Sequence, residues 1–303
     1  MDTNEAKNEN EAIEALLHTG RATTKLNTRI KPHGTRIRIP LKGRENEAVF
    51  YPSSRPHAPV LFGMHGGGFL IGGCAVDDAM WTAMRDALDI NIFSIGYRKT
   101  PDYAFPCALH DVYESILYLC DKRETYDFDR EDITLFGNSA GATLAAASCL
   151  LAARDGSLKI RRQVLNYPFL DLKTDPAQKG DPPEELPTSR LFNTLYLADA
   201  DPSDPLVSPL FASPKEYASL PEAVLTFCEK DTLRAEGEQY ARNLEKAGVK
   251  VHTRLAKDMP HAFFEVAFSS MASSGGWGVL QKNGSLKRET DATLTFIKEQ
   301  LSQ

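Results

Sequence analysis

Short, nearly continuous apolar runs recur along the chain with helical pattern between them, and this alternation restricts the fold more than any other feature. Residues 59–64 (PVLFGM), 90–97 (INIFSIGY), 133–137 (ITLFG), 162–168 (RQVLNYP), 223–228 (AVLTFC) and 249–255 (VKVHTRL) read as strands. Helical stretches over 77–88 and 105–119, an alanine-rich one after Ser139, and one over 235–246 that Gly248 closes separate them. Strands alternating with helices imply an α/β class with a mostly parallel central sheet and helices on both faces. Residues 35–41 and 47–52 add two early strands.

Three segments break the rhythm. Residues 1–35 are polar, with one amphipathic helix expected around 11–17. Residues 171–221 are rich in proline and aspartate and hold a short helical piece near 189–198; a loop of that length reads as a lid over one end of the sheet. Residues 269–285 (SSMASSGGWGVLQKNGS) read as a mobile loop before the last helix.

The stretch 135–151 (LFGNSAGATLAAASCLL) poses the chemical question. Gly137-Asn138-Ser139-Ala140-Gly141 has the spacing G-x-S-x-G, and a strand turning sharply into a helix would expose the Ser139 hydroxyl at the top of the sheet. Such a serine is a poor nucleophile unless an imidazole takes its proton and a carboxylate orients that imidazole. The partners must follow in the chain order serine, acid, histidine. Asp231 lies just past one later strand, and His261 just past the next. Glu229 is the rival acid, placed nearer its strand, and His252 falls inside a strand pattern where a structural role is expected. The glycines of MHGGGFLIGG (64–73) let backbone N–H groups approach a substrate closely, so Gly67 and Gly68, with Ala140, are candidate oxyanion donors. Neither G-K-[ST] nor G-x-G-x-x-G is present, which argues against a phosphate loop.

Composition excludes other classes. Thirty-five basic residues against 41 acidic ones give a net charge of −6, no footprint for nucleic acid or an anionic membrane. The longest nearly apolar stretch, 142–153, is 12 residues, too short to span a bilayer. The polar N-terminal stretch lacks a secretory pattern, and five dispersed cysteines lack metal or disulfide spacing, so a reduced, cytoplasmic protein is expected.

Taken together, HGGGF (65–69), YRKTPDYAFP (97–106), GNSAGA (137–142), DPLVSPLFA (204–212), DTLRAEGEQYARNL (231–244) and MPHAF (259–263) resemble, in order, the motifs of the hormone-sensitive-lipase-like carboxylesterases of the α/β-hydrolase superfamily. The resemblance implies a single α/β-hydrolase domain over 1–303, with a helical cap from about 1–35 and about 170–215. It implies hydrolysis of short- to medium-chain carboxylic esters with no cofactor and no metal. Ser139 would be nucleophile, His261 base and then acid, Asp231 its orienter, and Gly67, Gly68 and Ala140 the oxyanion hole. His65 would be a structural hydrogen-bonder. Acyl transfer, or lactone or amide opening, on the same residues stays an alternative, as does a non-catalytic receptor role. The resemblance also allows a homodimer. Candidate pocket residues are Phe69, Leu70, Phe192, Tyr196, Phe263 and Phe264. Asn138, Ala142 and Ala235 depart from the family pattern, which has Asp, Gly and an acidic residue at these places.

Overall fold

The apolar runs pair into one eight-stranded sheet. The computed structural model describes residues 3–303, with side chains from residue 10. After α1 (Thr3–Arg29) come β1 (Thr35–Leu41), β2 (Arg44–Tyr51), β3 (Ala58–Met64), α2 (Asp78–Leu88), β4 (Asn91–Ile95), α3 (Cys107–Asp121) and the single turn α4 (Arg123–Tyr126). β5 (Phe128–Asn138), α5 (Ala140–Asp155) and β6 (Arg162–Asn166) follow. The proline-rich insertion carries α6 (Pro176–Lys179), α7 (Leu186–Leu197) and α8 (Pro214–Tyr217). The chain closes with β7 (Glu222–Lys230), α9 (Arg234–Lys246), β8 (Val251–Pro260), α10 (Phe263–Ala267), α11 (Gly275–Lys282) and α12 (Ser285–Leu301).

Strand order is β1-β2-β4-β3-β5-β6-β7-β8; β1, β2 and β4 pair antiparallel in succession and every other pairing is parallel. Period-two alternation divides the apolar side chains between two cores. Val60, Phe62, Leu135, Leu165 and Leu225 face α3, α5 and α9. Leu61, Phe136, Val164 and Val224 face α2, α10 and α12. Sequences that must be apolar on both faces lose the hydrophobic/polar alternation, which is why β3 and β4 read as continuous runs.

Two expectations need correction. The N-terminal helix is not a short element around 11–17 but 27 residues long, and it packs against α7. Its polar surface hides it from a periodicity reading, because only a narrow stripe is covered. Residues 269–285 are not an open loop: Ser270–Ser273 form a 3₁₀ turn and α11 follows. Trp277 and Leu280 anchor that segment on the second core, overriding the poor helix propensity of Gly275 and Gly276. All five cysteines are unpaired and four are buried, as expected of small core residues. Among the described residues no helix is long and apolar enough to cross a membrane.

Candidate active site

Strand register brings the three candidate residues to one edge of the sheet. Asn138 of β5 pairs with Asn166 of β6, so Ser139 and Tyr167 emerge side by side. The β7–β8 ladder shifts after Cys228 and resumes with Lys230 opposite Pro260, which makes Asp231 and His261 immediate neighbours. All lie just beyond the carboxyl ends of parallel strands, where reactive groups gather in such sheets. Four non-glycine residues there hold positive φ: Phe69 (61°), Ser139 (52°), Tyr167 (35°) and Ala262 (66°). Backbone strain of this kind costs about 1–3 kcal/mol per residue and concentrates where geometry is over-determined.

The side chains meet at hydrogen-bond distance. His261 Nδ1 lies 2.7 Å from Asp231 Oδ2, and His261 Nε2 lies 2.8 Å from Ser139 Oγ. A carboxylate only accepts, so Nδ1 donates to Asp231 and Nε2 is left to accept from the serine hydroxyl. Asp231 Oδ1 accepts from Leu233 N at 3.0 Å, and its carboxylate is 3% exposed against 35% for the imidazole. Burial pushes the His261 imidazole down, but the charge and hydrogen bond of Asp231 outweigh it, with Glu265 and Glu236 adding, and hold it above the ordinary histidine value. This arrangement can take a proton from Ser139 and keep it on a stabilised imidazolium.

The rivals are occupied elsewhere. Glu229 accepts from Asp258 N at 2.8 Å, and His252 Nε2 contacts Glu222 Oε1 at 2.9 Å across the β7–β8 pair.

The turn after β5 is tight enough to dictate its glycines. A Cβ at Gly137 would overlap the backbone of Gly141 and Ala142, and one at Gly141 would lie 2.6 Å from the carbonyl oxygen of His65. That second approach presses the turn against the glycine-rich loop after β3. The N–H groups of Gly67, Gly68 and Ala140 have no acceptor among the described residues. The loop is braced from both sides. Buried His65 is neutral, its imidazole pushed down to about 3 by burial and the Lys99 charge; Nδ1 donates to Gly66 O at 2.7 Å, and the ring stacks on Tyr97 at 4.2 Å. From the other side α1 supplies Thr23 Oγ1, accepting from Gly72 N at 3.2 Å, and Asn27 Oδ1, accepting from Ala75 N at 2.8 Å. Sequence reasoning missed Thr23 and Asn27, because nothing local marks a polar helix residue that docks on a loop some 50 positions away.

The candidate pocket residues divide by location. Phe192 of α7 lies directly over the loop: a Cβ on Gly68 would come within 2.6 Å of its Cγ. Phe69 and Tyr196 are fully buried and stack at 3.5 Å between ring centroids, joining loop to insertion. Leu70 instead lies under α1, with Gly20 against it, and Phe263 and Phe264 belong to the second core. These three are placed as packing residues.

Two of the three departures have a physical account. Asn138 is fully buried; its Oδ1 accepts from Asn166 Nδ2 at 3.0 Å while its Nδ2 faces Met80 Sδ at 3.5 Å. Thr226 in turn donates to Asn166, so a neutral amide chain ties β5, β6 and β7 beneath the turn. An aspartate at 138 would bury a charge there. Ala235 is exposed, so an acidic group is not missed in any buried contact. The neighbouring Glu236 anchors the insertion: it accepts from Leu170 N at 2.6 Å and pairs with Lys179 of α6 at 2.6 Å, both side chains under one-tenth exposed. Nothing in the structure explains Ala142. Among the described residues no group of three or more His, Cys, Asp or Glu is placed to hold a metal ion.

Comparison with known proteins gives the family of the chain. Residues 61–265 match the family model of the alpha/beta hydrolase fold, and the chain belongs to that family. It is similar to an arylesterase of Saccharolobus solfataricus, 32% identical over 221 residues, covering 71% of each chain. It is also similar to a carboxylic ester hydrolase of Mycobacterium tuberculosis, 33% identical over 255 residues, covering 80% of this chain and 67% of the other. Among solved structures, a hyperthermophilic esterase from the archaeon Pyrobaculum calidifontis superposes with a TM-score of 0.74 at 25% identity, over 94% of this chain and 92% of that one.

Proposed function

We propose that the protein is a serine carboxylesterase that hydrolyses short- to medium-chain carboxylic esters through an acyl-enzyme on Ser139. The observation that carries this is the unbroken series Asp231–His261–Ser139, linked at 2.7 and 2.8 Å, in a family whose similar members are named esterases. Ser139 Oγ attacks the ester carbonyl as its proton passes to His261 Nε2. The N–H groups of Gly67, Gly68 and Ala140 receive the oxyanion, and the start of α5 adds its positive end. His261 then protonates the leaving alcohol, and water attacks the acyl-enzyme with His261 again as base. Helices α1, α6 and α7 serve as the cap. The five unpaired cysteines support a cytoplasmic setting. The homodimer that the family resemblance allows is decided by the mass in solution.

The position of Phe192 on Gly68 supports a preference for small groups. The test is kcat/KM for p-nitrophenyl acetate, butyrate and octanoate, beside a lactone and an anilide. Acetate or butyrate is expected to lead; a leading lactone or anilide would move the protein out of this class. Phe192→Ala is expected to raise the octanoate-to-acetate ratio by about tenfold, the scale of removing one large apolar wall. An unchanged ratio would release Phe192 from this role.

His261 must be neutral to accept the serine proton. Because it is held above 6.5, kcat/KM is expected to fall on acidification through a midpoint above that value. A midpoint below the ordinary histidine value in the pH profile would contradict a base paired with an ionised Asp231.

A further inference from the structure

Behind the candidate triad lies a carboxyl group that the reaction scheme above does not use. Glu265 sits in α10, one turn beyond His261. One carboxyl oxygen, Oε2, accepts from the Tyr167 hydroxyl. The other, Oε1, reaches the glycine-rich loop: a Cβ on Gly66 would lie 3.2 Å from it, 3.2 Å from Asn138 O and 3.5 Å from Ser139 Cβ. Tyr167 is itself fixed. Its N donates to Thr226 O at 2.7 Å, and its ring stands edge-on to His261 at 5.2 Å and 71° and to Phe263 at 5.9 Å. One hydrogen-bonded pair therefore lies beside the loop at Gly66, includes the strand-end residue next to Ser139, and stands edge-on to the ring of His261.

We propose that Glu265, held by Tyr167, is a positioning residue that locks the oxyanion loop to His261 and supports that imidazole with a second negative charge behind Asp231. The inference rests on the triad reading above. A short helix after a strand needs only apolar residues on its inner face, and Phe263, Phe264 and Val266 supply them. A half-buried carboxyl between them, with one oxygen taken up by the Tyr167 hydroxyl, is not needed for that packing.

The charges around the pair set the sign of the effect. His261 faces Asp231 after β7, Glu265 on α10 and Glu236 on α9, with the Tyr167 ring beside it. Glu265 faces His261, Tyr167, Asp77 before α2 and Cys228 of β7. On α12, which packs on α10, Glu289 is paired with Arg254 of β8. Burial, then the Asp77 charge, push the Glu265 carboxyl up to about 7, so it is partly ionised at neutral pH. An ionised Glu265 favours the imidazolium; removing it lowers the pH at which His261 loses its proton.

The test is the pH profile of kcat/KM for p-nitrophenyl acetate. Glu265→Gln, which keeps shape and hydrogen bonding, is expected to move the acid midpoint down by about half a pH unit or more and to lower kcat with little change in KM. Tyr167→Phe leaves the carboxylate without its donor, so less of it is ionised, and is expected to move the midpoint in the same direction. Should Glu265→Gln fail to fold, Tyr167→Phe alone reads the shift. A purely structural role predicts unmoved midpoints, and that result overturns the proposal. Labelling of Ser139 by a fluorophosphonate separates the two levels: labelled protein with unmoved midpoints sinks only the role of Glu265. An unlabelled native protein removes the triad reading and this proposal with it.

Discussion

Ser139→Ala is expected to cut kcat for p-nitrophenyl acetate by between about 10⁴- and 10⁶-fold while KM and the thermal melt stay close to those of the native protein. The substitution deletes one atom, the Oγ 2.8 Å from His261 Nε2. It leaves the 2.7 Å contact between His261 and Asp231 in place. The backbone bonds that shape the turn, Ser139 N to Asn166 O and Ala142 N to Ser139 O, do not involve the side chain. Alanine also tolerates the positive φ no worse than serine, since both carry a Cβ. Activity is therefore expected to vanish from a folded protein. A loss below tenfold would place the nucleophile elsewhere.

Gly137→Ala is expected to have the largest effect on the fold. The added Cβ would occupy the space of the Gly141 carbonyl and the Ala142 nitrogen, which are backbone atoms at the start of α5 and cannot swing aside. Separating β5 from α5 would pull the turn away from the loop after β3, where Gly141 already approaches the carbonyl of His65. The expected cost is about 4 kcal/mol or more, the range reached by severe overpacking, read as a lowered urea midpoint or loss of soluble protein. Gly156→Ala is the control. Its φ of 67° carries a strain of about 1–2 kcal/mol, but its Cβ would meet nothing within 4 Å. Equal losses at the two positions would mean that the turn is not packed as described.

The contrast between these glycines shows what a sequence reading reaches. The G-x-S-x-G spacing, the HGGG run and the order Ser139, Asp231, His261 are local patterns with local causes. Each needs a particular residue type at a strand end, so each was legible. Asp231 stands apart from Glu229 for a related reason: β7 runs to Lys230, and only the residue beyond it is released from the ladder toward the next strand end. Other features depend on contacts between distant segments. The full length of α1 and its hold on the loop through Thr23 and Asn27 were illegible, because a polar helix shows little periodicity. The segment 269–285 looked unstructured because its glycines and serines favour no helix; packing of Trp277 and Leu280 decides otherwise. Among the pocket candidates, apolar character alone could not separate Phe192, lying on Gly68, from Leu70 and Phe263, which pack into the interior. Glu265 carried no signal, since its significance comes from Tyr167, 98 positions earlier.

Ser139, activated by His261 and Asp231, is expected to form a covalent acyl-enzyme. The most direct measurement is incubation of the native protein with a fluorophosphonate, followed by peptide mass spectrometry, beside the Ser139→Ala and His261→Ala variants. One modification per chain is expected, on the peptide containing Ser139. It should be absent in the serine variant and strongly slowed in the histidine variant. An unmodified native protein, or a label on another serine, would contradict the account.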